Sequence, residues 1–125
     1  MILKEISILL LDSSRGRAYI QNLIRNKLCP SFAIVLGQEN KMGSINSKYA
    51  KQFFDQSESV FSTLEKNKMK YKKVDATDCN DKAVISELKS RKEKYFIYTG
   101  GGILKDEILS IGKKFIHVHP GIVPY

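Results

Sequence analysis

The feature that most constrains this chain is the change of hydrophobic period between its first two segments. Ile6 to Leu11, "ISILLL", is a continuous apolar run, the pattern of a strand covered on both faces, because a strand with one wet face would alternate. Directly after it, "DSSRGRAYIQNLIRNKL" places Ala18, Ile20, Leu23, Ile24 and Leu28 at helical spacing behind Ser13 or Ser14 as N-cap. The same alternation continues to the end of the chain. Pro30 is expected to stop the helix, and "FAIVL" at 32–36 reads as a second buried strand. A loop, "GQENKMGS", follows. From Ser47 to about Lys68 helical spacing resumes, with a break near Ser57. "KYKKVDA" is a weak third strand, and Asn80 is expected to cap the helix "DKAVISELKSR", with Ala83, Val84, Ile85 and Leu88 on its apolar face. "KYFIYT", a "GGG" turn, a short helix in "ILKDEILSIG" and "KFIHV" complete the pattern.

Strands alternating with helices imply an α/β fold, an open, mainly parallel sheet of about five strands with helices on both faces, Rossmann-like in arrangement. The 125 residues suit one domain, 1–125, and no repeat, linker or low-complexity segment divides them. The apolar start is interrupted by Lys4 and Glu5 and reads as a strand rather than a leader, and no run approaches a membrane span. Two cysteines, Cys29 and Cys79, lie outside any metal-like spacing, and their sparing use fits a reducing, cytoplasmic compartment.

Twenty-one basic residues against thirteen acidic ones give a net charge of +8. Such a field favours anionic partners. The lysines are scattered through "LEKNKMKYKK", "ELKSRKEKY" and "IGKKF" without interleaved aromatics, so the expectation is solvated surface and no dedicated nucleic-acid face.

In an open parallel sheet, ligands bind at the C-terminal ends of the strands, which singles out four segments. Ser13, Ser14, Arg15 and Gly16 open the first helix, where free amides and an arginine can meet an anion; simple capping accounts for the same residues. Gly100, Gly101 and Gly102 follow the fourth strand, and three glycines in a row cost backbone entropy that either a positive-φ turn or the close approach of a ligand must justify. His117 and His119 share one face of the fifth strand, since side chains alternate, and their pattern is open among a proton-transfer pair, a metal pair and two structural imidazoles. "PGIVPY" is a stiff closing loop.

"FIYTGGGIL" followed by "GKKFIHVHPGIVPY" resembles the central part of the folate-dependent formyltransferase family, in which a strand ends in Asn-x-His-Pro, then a small residue, two apolar residues and Pro. His119, Pro120, Gly121, Ile122, Val123 and Pro124 match in order. The resemblance is specific over the last thirty or so residues and agrees with the alternation from Ile6 onward. It implies transfer of a formyl group from 10-formyltetrahydrofolate to a primary amine, with an amino sugar or other small metabolite favoured over methionyl-tRNA, because "ILLLDSSRG" matches neither the tRNA-directed nor the purine-pathway members. His119 would serve in proton transfer. His117 stands where the family has an asparagine that donates to the oxyanion. Gly101, Gly102, Ile103 and Leu104 would border the folate, and Ser13, Ser14, Arg15 and Gly16 would face the amine. No metal is implied. The family's catalytic aspartate lies beyond Tyr125, so the resemblance implies a domain incomplete at its C-terminal end and inactive at this length; the alternative is a non-catalytic folate- or nucleotide-binding module of the same fold. A fifth strand at the sheet edge would invite a homodimer.

Overall fold

The computed structural model describes residues 2–40, 51–100 and 102–117. Its elements are β1 (Ile2–Leu11), α1 (Ser14–Arg25), β2 (Cys29–Leu36), α2 (Val60–Lys66), β3 (Tyr71–Val74), α3 (Lys82–Ser90), β4 (Tyr95–Tyr98), α4 (Asp106–Leu109) and β5 (Lys114–His117). The five strands form one sheet in the order β3-β2-β1-β4-β5, and every pairing is parallel. This is the expected Rossmann-like α/β arrangement.

Alternate side chains of the central strands feed two separate cores, which explains the unbroken apolar runs. Ile8 and Leu10 of β1 with Ala33 and Val35 of β2 pack under α1 and α2, where Ile20, Val60 and Leu64 are buried. Leu9, Ile34, Leu36, Val74, Phe96 and Tyr98 face the opposite way, against Val84, Ile85 and Leu88 of α3 and Ile108 of α4. The chain builds β1, β2 and β3 outward, then crosses under the sheet through α3 and restarts beside β1 as β4. The strand order therefore reverses between β1 and β4, the position at which an open α/β sheet leaves a crevice at its C-terminal end.

Local readings differ from the structure in several places. Helix α1 ends at Arg25, and Lys27 takes a left-handed φ of 61°; Leu28 is outside the helix and Pro30 is the second residue of β2, paired with Leu3. A proline is tolerated there because the β1–β2 ladder shifts register between Leu3 and Ser7. Of the helical stretch expected over 47–68, Lys51 and Val60–Lys66 are helical among the described residues; α2 is opened by Ser59, whose hydroxyl accepts from the Ser62 amide, and the expected break near Ser57 is present as a turn in which the Asp55 carboxylate accepts from both the amide and the hydroxyl of Ser57. Residues 47–50 lie outside the described residues. The N-cap of α3 is Asp81, not Asn80, its carboxylate accepting from the Ala83 amide, and Ala83 is exposed.

At the N-terminal end of the sheet, Glu93 is 1% exposed. Its carboxylate accepts from the Ser7 hydroxyl at 2.6 Å and from Arg91 Nε and Nη2 at 2.9 and 3.0 Å. Arg91 lies over the Phe32 ring at 3.6 Å from its centroid. Burial alone would raise the Glu93 pKa, but the bonds from Arg91 and Ser7 outweigh it and hold the group below the usual glutamate value. Glu93→Ala is expected to cost about 1–3 kcal/mol, because Ser7 is fully buried and loses its acceptor; a urea midpoint unchanged within error would contradict that role.

Candidate functional site: the crevice between β1 and β4

The C-terminal ends of β1, β4 and β5 supply the crevice. Leu11 and Gly100 approach each other across it, since a Cβ built on Gly100 would sit 3.6 Å from Leu11 Cδ1. The Thr99 amide donates to the Leu9 carbonyl at 3.2 Å and carries the β1–β4 ladder up to the glycine turn. His117 pairs in register with Tyr98, their rings 5.6 Å apart at 50°. The described parts of the two motif segments, Phe96–Tyr98 and Phe115–His117, thus lie side by side on neighbouring strands. His119, Gly101 and the "PGIVPY" segment lie outside the described residues.

Beyond β4 the backbone is held by an amide that sequence reading assigned to another task. Asn80 Nδ2 donates to the Ile103 carbonyl at 2.6 Å and its Oδ1 accepts from the Lys105 amide at 2.9 Å. Asp78 in turn accepts from the Asn80 amide and from Asn80 Nδ2, and these bonds hold its pKa below the usual aspartate value. Gly100 and Gly102 have φ of 152° and 104°. A Cβ at Gly102 would be strained and would stand 3.4 Å from Asp78 Oδ1. The turn so pinned holds Ile103 at 84% exposure, the highest among the exposed large hydrophobics, and leaves Leu104 packed against the core. Asn80→Ala is expected to cost about 1–2 kcal/mol and to speed amide exchange at Lys105, where loss of its acceptor removes protection.

Tyr98 forms the floor under His117. It is 5% exposed, its hydroxyl 3.8 Å from Cys79 Sγ. Burial, followed by the contact with Cys79, pushes the phenol well above its ordinary pKa, and burial likewise raises the Cys79 thiol. Cys79 thus lies one ring removed from His117. Raised as it is, the thiol is protonated near neutrality and unsuited to attack. Among the described residues no group of three or more His, Cys, Asp or Glu gathers to hold a metal ion.

The β1–α1 turn contributes differently from expectation. Ser13 is the N-cap of α1, its hydroxyl accepting from the Gly16 amide at 3.0 Å. Ser14 Oγ donates to Gln56 Oε1 at 3.1 Å. Gly16 is buried against β1, where a Cβ would fall 2.1 Å from the Leu11 carbonyl oxygen. Ser14 and Arg15 are the exposed members of the four, and Arg15 is the one whose charge can meet a ligand. Ser13→Ala is expected to cost about 1 kcal/mol, the usual loss for an N-cap, measured as a shift in the denaturation midpoint.

Behind that turn lies a group the sequence reading missed. Asp12 is fully buried and Arg17 is 2% exposed. Arg17 Nε and Nη2 reach the two carboxylate oxygens at 2.7 and 2.8 Å, and the amides of Asn40 and Val60 donate to the same carboxylate at 2.8 Å each. The guanidinium also donates to the carbonyls of Gln56 and Asn40. One signal was available: Arg17 shares the helical stripe of Ile20 and Ile24, a cation at a core position. No protein-family model matches the chain, and no curated protein matches it.

Proposed function

We propose that the crevice belongs to an N-formyltransferase domain that takes 10-formyltetrahydrofolate as donor and a primary amine, an amino sugar or another small metabolite, as acceptor. The carrying observation is the turn at the mouth of β4. A pinned, positive-φ glycine segment presents backbone and an exposed Ile103 beside an imidazole-bearing strand end, and a flat heterocycle needs just such a wall of backbone polar groups and apolar side chains. The resemblance of the C-terminal motif supplies the reaction class.

In that reaction the amine nitrogen forms a bond to the formyl carbon, the carbonyl oxygen becomes an oxyanion, and the bond from carbon to the folate nitrogen breaks. A proton leaves the amine and one reaches the departing folate nitrogen. His119 is proposed to carry that proton. His117 is proposed to donate to the oxyanion in place of an amide, its ring packed on buried Tyr98. Arg15 is placed to meet an anionic part of the acceptor. The exposed carboxylates of Asp75, Asp78, Asp81, Asp106 and Glu107 surround the same end of the sheet, and their field favours the approach of a protonated amine.

A second reading, a folate- or nucleotide-binding module without chemistry, is favoured by one observation. The acids buried within the described core, Asp12 and Glu93, are both engaged by arginines, which leaves neither to orient an imidazole. Calorimetric titration with 10-formyltetrahydrofolate together with an amine-formylation assay tests both readings. The expected result is saturable binding that persists in His119→Ala, with any transfer by the wild-type protein lowered at least 100-fold in that variant. Binding without turnover would select the module; absence of binding would remove both. Gly102→Val is expected to weaken the binding at least tenfold, since a side chain at that positive φ strains the turn.

A further inference from the structure

The charge that looked scattered along the chain is sorted by the fold. Because all strands are parallel, every helix-to-strand connection returns to the N-terminal end of the sheet, and there Lys27, Lys68, Lys70, Lys92, Lys94 and Lys114 are all exposed. Ladder bonds fix their levels: the Ala33 amide donates to the Lys70 carbonyl and the Lys114 amide to the Lys94 carbonyl. The row crosses from β3 to β5, four strand spacings or roughly 19 Å. Few acids answer it. Glu93 is buried on Arg91 and Ser7, Glu65 accepts from the Tyr71 hydroxyl, and Glu5 is exposed on β1. Complementation of helix dipoles accounts for Arg25, Lys66 and Lys89, the cations of the last helical turns. The six lysines lie outside the helices.

Two of them also stand where lysine is a costly choice. Lys27 and Lys68 follow the caps of α1 and α2 with φ of 61° and 56°, in closely matching turns: the lysine amide donates to Ile24 or Glu65, and the next residue's amide to Leu23 or Leu64. That left-handed position favours glycine or asparagine. Lysine placed at both, at the same end of the sheet, trades backbone ease for surface charge, and strain of this kind marks positions with a task.

We infer that this end of the sheet is a docking surface for the sugar-phosphate backbone of a nucleic acid, read without regard to sequence and separate from the crevice at the opposite end. Lysine ammonium groups are point charges suited to phosphate contact rather than to reading bases, and a basic face on a domain of isoelectric point near 9.5 is the footprint of backbone binding. A lipid surface is less well served, since the exposed large hydrophobics beside the row, Leu28 and Ile116, are each only 40% exposed and share a groove with Tyr19, Leu23 and Ile97.

The test is fluorescence-anisotropy binding of a mixed-sequence single-stranded RNA at several salt concentrations. If all six lysines meet phosphates, the logarithm of the association constant should fall with the logarithm of salt at a slope of about −4, a loss of about 300-fold between roughly 50 and 200 mM. Lys92→Gln, Lys94→Gln and Lys114→Gln together should halve that slope. Lys27→Gly with Lys68→Gly should lower it by about a third while raising the melting temperature, an opposition that a purely structural role for these lysines would not produce. Lys82→Gln with Lys105→Gln, at the opposite end, should leave the slope unchanged. A slope near zero, an equal loss in the Lys82 and Lys105 variant, or binding to phosphatidylserine vesicles but not to RNA would overturn the inference.

Discussion

Arg17→Ala is expected to lower the free energy of unfolding by about 3–5 kcal/mol, a large part of the margin of a domain this size. The side chain is 2% exposed and its partner Asp12 is fully buried, so the alanine variant leaves a carboxylate inside the protein with two amide donors and no countercharge. It also strips the Gln56 and Asn40 carbonyls of a donor, releasing the segments that bring Asn40 and Val60 over the end of β1. Urea denaturation checks the value, and a loss under 1 kcal/mol would show that the pair holds nothing together. The dependence on pH follows from the same bonds. Burial would raise the Asp12 pKa, but the bonds from Arg17, Val60 and Asn40 and the Arg17 charge outweigh it and hold the group below 3.8. A carboxyl depressed in the folded state contributes stability that is fully present above its unfolded value and is lost as pH falls through its folded one. The wild-type protein should therefore be steady from neutrality down to about pH 5 and destabilise below about pH 4. In Arg17→Ala that acid-side loss should shrink, because the native carboxyl no longer prefers ionisation so strongly.

Gly16→Ala is expected to cost about 2–3 kcal/mol, the range for forcing a methyl into filled space. Alanine favours helices, and on propensity alone the change would stabilise α1. Geometry decides otherwise: the new Cβ would stand 2.1 Å from the Leu11 carbonyl oxygen and 3.3 Å from the carbonyl carbon, both backbone, so relief requires α1 to lift from β1. Arg17 is the next residue, and lifting draws it from Asp12. Gly16→Ala and Arg17→Ala should consequently lose less together than the sum of their separate losses. A Gly16→Ala protein as stable as wild type would mean that the turn is looser than the geometry states.

The strands and their order of appearance were legible because burial on both faces leaves a local signature, and Ile6–Leu11 and Phe32–Leu36 carry it plainly. What escaped depended on partners far along the chain. Asp12 reads as a loop residue, and only Asn40 and Val60, 28 and 48 positions away, make it part of the core. Asn80 and Asp81 are adjacent residues of equal capping ability, and which one caps is settled by the Ile103 and Lys105 backbone that recruits Asn80. Pro30 carries a strong local rule against helices, but the helix had already ended in the Lys27 turn. At the candidate site, the glycine run and the strand bearing His117 were readable as neighbours from the βαβ alternation alone; the floor formed by Tyr98 and Cys79 was not, because it joins residues from two crossings of the sheet.

The central claim, a folate pocket at the crevice between β1 and β4, is tested most directly by titrating isotope-labelled protein with 5-formyltetrahydrofolate, a stable stand-in for the donor, and following backbone amide shifts. Saturable shifts should gather at Thr99, Gly100, Gly102, Ile103 and His117. No shifts at those positions, or shifts confined to the apolar groove of Tyr19, Leu23, Leu28, Ile97 and Ile116 on the other face, would contradict it.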